Sequence, residues 1–192
     1  MKTKSVLARL LRLVLILPPV LLLLLLPGPL DGEAAVRVQR PIVLSGGQVN
    51  QSYLWAEETI LGGNSVKHRG LDFGYPAVLG TNVFAIADGI VRDKEEALPD
   101  NEHNSVWGNY VLIEHSKRHF DLASGTMGYI YSMYLHLSYN SIPGGIEVGS
   151  SVSAGQLIGK VDNTGSGSFG SHLHLQVVIH PQPGRTLDPF TL

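Results

Sequence analysis

Cysteine is absent from this chain, and no stretch of it is strongly basic. Without cysteine there is no disulfide framework, no thiolate zinc site, no thiol protease and no lipid attached to an N-terminal cysteine. The 192 residues suit one domain and carry 14 Lys and Arg against 16 Asp and Glu, a formal charge of −2. This balance lacks the electrostatic footprint of nucleic-acid-binding proteins, so we expect no nucleic-acid partner.

The first 35 residues differ in composition from the rest. Four basic residues precede a nearly unbroken apolar run, Leu13 to Leu26, which small and polar residues follow. This order is typical of a secretory signal peptide. Pro18–Pro19 and a length short of the roughly 20 residues that span a bilayer argue against a transmembrane helix. Residues 6–26 could still form an uncleaved membrane anchor, and a buried core helix is the third alternative.

From Lys67 onward, short runs of branched and aromatic residues alternate with turn residues, which predicts an all-β domain. Asp88–Gly89 predicts a hairpin, and Lys94–Trp107 and the small-residue segment Asp162–Gly170 predict long loops. No apolar period of 3.6 residues persists after Ala35, so helices should be short or absent. The predicted strands are Asn82–Ile90, Asn109–His115, Tyr129–Leu137, Gly155–Val161 and His172–Ile179.

Two groups of side chains have the spacing of metal ligands. His68 and Asp72 are four residues apart around Gly70, which disfavours a helix, so we expect them on a turn that enters a strand. Such a turn could aim both at one point, although two residues at this spacing are more often a satisfied surface pair. His172 and His174 are two apart, so on a strand both project from one face. That pattern fits a metal site or an ordinary half-buried strand.

His136 is a further candidate on a predicted strand. Alternation along Tyr129–Leu137 places His136 on one face and Leu137 on the other. A lone histidine on a polar strand face is often structural, and His115 is a similar but poorer candidate. The sequence has no GxSxG nucleophile elbow, no P-loop and no HExxH helix.

Taken in order, these segments resemble the lysostaphin-type (LytM-like) zinc metalloendopeptidases of bacterial cell walls. The resemblance covers about residues 66 to 188 and implies a duplicated hybrid motif, a single antiparallel β domain that is barrel- or sandwich-like. Two departures are Arg69, where the family often has a second histidine, and the lack of tyrosine between Ala56 and Lys67. The matching segments are HRGLDF at 68–73, FAIADGIV at 84–91, GNYVLIEH at 108–115, YLHLS at 134–138, VGSSVSAGQLIGKVDNTG at 148–165, GSHLHLQV at 170–177 and TLDP at 186–189.

The resemblance implies that His68, Asp72 and His174 bind zinc, and that His172 and His136 are unligated active-site histidines. Two imidazoles and one carboxylate leave a tetrahedral Zn²⁺ an open position for water, as in catalytic rather than structural sites. We expect His172 to act as general base, because its neighbour His174 holds the metal. His136 is then its partner or a donor to the oxyanion.

The expected organisation is a signal peptide or anchor at 1–35, a lead-in or linker at 36–65 and a zinc metallopeptidase domain at 66–192. The predicted function is an extracytoplasmic endopeptidase, secreted or anchored facing outward, that hydrolyses peptide cross-links in peptidoglycan. A zinc-containing wall-binding or activator module with little turnover is the alternative, and a structural β-domain with scattered histidines is a third. The specific bond that is cut is not predicted.

Overall fold

The structure, a computed structural model of the chain, describes residues 38–42, 58–61, 64–74, 79–121 and 125–180. All of them belong to one unit, Arg37–Leu192. The predicted signal peptide or anchor, much of the lead-in and the TLDP segment lie outside the described residues. No helix in the ranges given above is long and apolar enough to cross a membrane.

Antiparallel strands make up the regular structure of the described ranges, in which no helix occurs, and this confirms the all-β prediction. The strands are β1 Glu58–Leu61, β2 Asn64–Lys67, β3 Leu71–Phe73, β4 Asn82–Phe84, β5 Gly89–Glu95, β6 Asn109–Asp121, β7 Thr126–Leu137, β8 Ser151–Val152, β9 Leu157–Lys160 and β10 Leu173–His180.

Six of these strands form the main sheet, in the order β3-β10-β7-β6-β5-β8. Its edges, β3 and β8, do not pair with each other, so the described part of the chain is an open sheet rather than a closed barrel. Strands β4 and β9 form a second sheet, and β1 and β2 pair as a hairpin.

The core lies between the main sheet and the β4–β9 sheet. Val111 and Ile113 of β6 pack there with Val83 of β4 and Ile158 of β9, and none of the four is exposed. Leu112 points to the opposite face, into a second apolar cluster. Side chains thus alternate between the two faces over the first residues of β6, and each such side chain contributes roughly 1.5–3 kcal/mol to stability when fully buried.

The predicted hairpin at Asp88–Gly89 is wrong. β4 ends at Phe84 and pairs with β9, whereas β5 begins at Gly89 and pairs with β6 and β8. The intervening residues cross from one sheet to the other, with Ala85 and Ala87 buried. Gly89 is needed for a close approach, because a Cβ there would lie 2.5 Å from the Glu114 carbonyl oxygen.

Part of the predicted lead-in packs on the domain. Gln39 N–H donates to the Ile86 carbonyl (2.7 Å), and Phe84 N–H donates to the Pro41 carbonyl (2.7 Å). Ile42 bridges to Val83 and is 1% exposed within the core. Residues 38–42 therefore belong to the folded unit, while the boundary at residue 66 stays a prediction.

β7 carries a bulge at His136. The single step from Asn109 to Tyr110 on β6 faces the two-residue step from Leu137 to Leu135 on β7. His136, the surplus residue, has a positive φ of 64°. Strict alternation fails here, so Leu137 packs in the core between the two sheets instead of on the opposite face.

Candidate metal centre and active site

Adjacent strands bring the predicted site residues together. Asp72 on β3 lies directly opposite His174 on β10, and β10 pairs in turn with β7, which ends in the bulge at His136. His68 follows β2, and His172 immediately precedes β10. All five side chains are buried, although they span more than a hundred residues of sequence.

Three ligand atoms form a nearly equilateral triangle. His174 Nδ1 lies 2.9 Å from Asp72 Oδ1 and 3.1 Å from His68 Nε2, and His68 Nε2 lies 3.2 Å from Asp72 Oδ1. Tetrahedral zinc with bonds of about 2.0–2.1 Å holds its ligand atoms roughly 3.3 Å apart. His68, Asp72 and His174 therefore fit a zinc ion in both donor type and spacing.

Charge at this triangle also suits a cation. Burial by itself would raise the pKa of the Asp72 carboxyl, but hydrogen bonds with His174 and His68, and the charge of His172, hold that pKa well below its usual range. Asp72 is consequently ionised across the physiological pH range, as a metal ligand must be.

Gly70 is required by this packing. A Cβ at Gly70 would lie 2.5 Å from His174 Nε2 and 2.7 Å from the Leu175 carbonyl oxygen. The sequence suggests only that Gly70 prevents a helix between His68 and Asp72. The structure shows in addition that the backbone at residue 70 touches the His174 ring.

His172 faces the triangle without completing it. Its Nε2 lies 3.5 Å from Asp72 Oδ1, and its Nδ1 donates to the Gly170 carbonyl at 2.7 Å. Because a carbonyl can only accept, the neutral ring carries its proton on Nδ1 and leaves Nε2 as the basic nitrogen. Burial lowers the pKa of His172, although the Asp72 carboxylate and the Gly170 carbonyl oppose the shift.

His136 lies next to His172, with ring centroids 4.8 Å apart, and its ring centroid is 6.1 Å from that of His174. Its Nδ1 donates to the Thr164 carbonyl at 2.7 Å, so Nε2 is again the basic nitrogen. Burial, followed by the charges of His172 and His174, lowers the pKa of His136 well below its usual value.

Several groups that orient the site histidines are backbone carbonyls, which the residue types in the sequence do not reveal. The carbonyls of Thr164 and Gly170 set the orientation of the two imidazoles, and the Trp107 carbonyl accepts the His136 N–H at 3.1 Å. The sequence marks 94–107 and 162–170 only as loops. Of these loop residues, only 162–165 and 170 fall in segments that match the family.

His115 lies away from this site. Its Nδ1 donates to the Asp88 carbonyl and its Nε2 bonds Ser132 Oγ, both at 2.8 Å, in the interior of the main sheet. It is a structural residue, consistent with its place as the poorer candidate. His103 bonds the Gly165 carbonyl through Nδ1 at 2.8 Å and joins the two loops.

The profile of peptidase family M23 matches residues 66–189, more than half of the chain. The chain belongs to peptidase family M23. The lysostaphin-type resemblance of its sequence is thereby confirmed.

Several solved structures of peptidases are similar to this chain. A zinc-containing peptidase from Vibrio cholerae is 25% identical with a TM-score of 0.51, over 80% of this chain and 41% of that one. The catalytic domain of lysostaphin from Staphylococcus simulans is 25% identical with a TM-score of 0.48, over 74% and 90%. An M23 protein from Pseudomonas aeruginosa is 23% identical with a TM-score of 0.48, over 76% and 46%. This chain thus spans less than half of the Vibrio and Pseudomonas proteins.

Proposed function

We propose that this M23 protein is a zinc metalloendopeptidase that hydrolyses peptide cross-links in peptidoglycan. The observation that carries the proposal is the triangle of ligand atoms from His68, Asp72 and His174, with the basic Nε2 of His172 beside it. The similar Vibrio cholerae peptidase contains zinc, which supports the same ion here.

Zinc held by His68, Asp72 and His174 would polarise the scissile carbonyl and lower the pKa of water to roughly 7. His172 is the general base in this proposal. Its lowered pKa keeps Nε2 unprotonated at neutral pH, and Gly170 fixes the ring so that Nε2 accepts the proton. The nearby Asp72 carboxylate stabilises the imidazolium until the proton passes to the leaving amine.

His136 is the second catalytic histidine in the proposal. With Nδ1 committed to Thr164, His136 can donate to an oxyanion only after Nε2 gains a proton, and burial opposes that protonation. A neutral His136 is better suited to accept a proton or to orient the water than to donate. The geometry therefore favours the partner role over the oxyanion role.

The first test is release of new amino groups from purified cell walls by the full-length chain with zinc present. EDTA should abolish the release, and added zinc should restore it. Mass spectrometry of digested muropeptides would identify the bond. A metal-replete protein that binds walls but releases no amino groups would instead be the binding module.

Export is also part of the proposal. The basic and then apolar residues of 1–35 support a signal peptide or an anchor through residues 6–26. In a bacterial host we expect the chain outside the cytoplasm. N-terminal sequencing separates a mature chain that begins near residue 36 from an intact anchored one, and an intact cytoplasmic chain would contradict both.

A further inference from the structure

One buried carboxyl near the site is not used by the proposed reaction. Asp162 is 1% exposed, and neither of its oxygens accepts a hydrogen bond of good geometry from any described residue. The carboxyl of Asp100 and the backbone N–H groups of Asn163 and Asn101 face it. Two carboxyl groups in contact, one of them buried, cannot both be ionised without a large cost.

The main chain of Asp162 connects the two active-site histidines. Its N–H donates to the His136 carbonyl at 2.9 Å, and its carbonyl accepts the His172 N–H at 3.3 Å. Any shift of Asp162 therefore moves the backbone of both His136 and His172.

Asp100 belongs to a segment that lies along the site, residues 96–108, which we name the clamp loop. Its carbonyls accept backbone N–H groups from the glycine-rich loop at 162–170: Glu102 from Gly165 at 2.7 Å and Val106 from Gly167 at 3.0 Å. Asp100 Oδ1 also accepts the Tyr139 N–H at 2.6 Å, which fixes its carboxyl. The contact between Asp100 and Asp162 thus lies where the clamp loop meets the backbone that connects His136 and His172.

We propose that Asp162 is a positioning residue for His136 and His172, and that its carboxyl holds the clamp loop by sharing one proton with the carboxyl of Asp100. The shared proton forms an O–H···O⁻ hydrogen bond, the strong charge-assisted kind. Its catalytic consequence rests on the proposed function, whereas the proton sharing itself does not.

The electrostatics of the contact between Asp100 and Asp162 agree with a shared proton. Burial, followed by the contact with the Asp100 carboxyl, raises the pKa of Asp162 to about 6. The other titratable groups around it are His136 at the end of β7, His172 before β10 and the exposed Lys160 on β9. None of them is an ion-pair partner of Asp162 in the described ranges.

The sign of the pH effect follows from this raised pKa. Between the unfolded value of 3.8 and about 6 the folded chain binds more protons than the unfolded chain, so the stability due to this pair falls as pH rises through that window. Above it, the Asp162 carboxyl has lost its proton and the clamp loop loses this side-chain contact.

The test compares full-length wild type with Asp162→Asn and Asp100→Asn, because an amide donates to the remaining carboxylate at any pH. The melting temperature of each variant relative to wild type should rise by about 4 °C between pH 5 and pH 7.5. Asp88→Asn is the control, since Asp88 is exposed and its Oδ1 accepts the Ala154 N–H, which an amide oxygen also does. A difference in melting temperature between variant and wild type that stays constant from pH 5 to pH 7.5 would rule out the shared proton. If 10 mM Ca²⁺ at pH 7.5 stabilised wild type but not Asp162→Asn, the two carboxyls would bind a cation, and the shared proton would be ruled out.

Two further measurements test the positioning role. Hydrogen exchange at the amides of Asp162 and His172 should accelerate more than tenfold, beyond the intrinsic pH effect, from pH 5 to 7.5 in wild type but not in Asp162→Asn. In wall hydrolysis, Asp162→Ala should lower kcat at unchanged KM, and Asp162→Asn should restore it. If exchange accelerated equally in wild type and Asp162→Asn, Asp162 would not hold the clamp loop through a shared proton. This conclusion would stand even if the chain proved not to be a peptidase.

Discussion

At the scale of single residues, the site assigns different tasks to chemically identical side chains. His174 and His172 are two residues apart, yet Nδ1 of the first lies in the ligand triangle while Nδ1 of the second donates to a carbonyl. The difference is set by hydrogen-bond partners rather than by residue type. Substitution should therefore separate metal binding from turnover.

We expect His174→Ala and Asp72→Ala to lose zinc and activity together, because each removes one corner of the ligand triangle. His172→Ala and His136→Ala should retain zinc but lose roughly 10²- to 10⁴-fold in turnover, the range for a proton-transfer group. Zinc content by atomic absorption and amino-group release are the measurements, with His180→Ala as control. Metal loss from His172→Ala or His136→Ala would contradict the division of roles.

At the scale of elements, sequence patterning predicted much but not all of the fold. The alternation of β6 was readable because one face of the strand packs against the β4–β9 sheet. The failed hairpin at Asp88–Gly89 shows why turn chemistry alone is insufficient: that glycine serves a close approach to Glu114. The bulge at His136 depends on register with β6, which no single segment encodes.

The candidate site was predictable in its residues but not in its geometry. The five histidine and aspartate positions came from a family resemblance, because spacing alone favoured a surface pair for His68 and Asp72 and did not decide between a metal site and an ordinary strand for His172 and His174. Which ring nitrogen of His136 and His172 carries the proton is decided by the carbonyls of Thr164 and Gly170. Backbone carbonyls carry no sequence signature, so this part required the structure.

The turn between β2 and β3 offers a test at this scale. Gly70→Ala should destabilise the chain by about 1–3 kcal/mol, as overpacking does, and weaken zinc binding by displacing the His174 ring. Gly144→Ala is the matched control, since nothing lies within 4 Å of a Cβ there. Denaturant unfolding and zinc titration measure both effects. Equal behaviour of the two variants would refute the proposed contact.

At the scale of the whole molecule, a chain of buried polar groups joins the connection after β4 to the main sheet. It runs from the Asp88 carbonyl through His115 and Ser132 to the Tyr134 hydroxyl, which accepts the Ile86 N–H at 2.8 Å. Burial lowers the pKa of His115, although the hydrogen bond that His115 donates to the Asp88 carbonyl opposes the shift. Stability of the fold is thereby linked to pH.

The change of stability with pH that His115 causes is opposite in sign to the change that Asp162 causes. Because the pKa of His115 is lower in the folded chain than the 6.5 of the unfolded chain, the unfolded chain binds more protons and stability falls as pH drops below about 6.5. Thermal unfolding from pH 7.5 to 5.5 should therefore show a smaller loss in His115→Gln than in wild type. His180→Gln controls for the loss of one histidine, and parallel curves for wild type and His115→Gln would exclude the linkage.

The bulge on β7 leaves His136 outside the strand pairing of the sheet. Strand pairing passes from Leu135 to Leu137 without using residue 136, which needs only a backbone that tolerates a left-handed turn. Glycine or asparagine meets that requirement as well as histidine does. Substitutions at position 136 can therefore change or abolish the chemistry of this side chain while the surrounding strands keep their pairing.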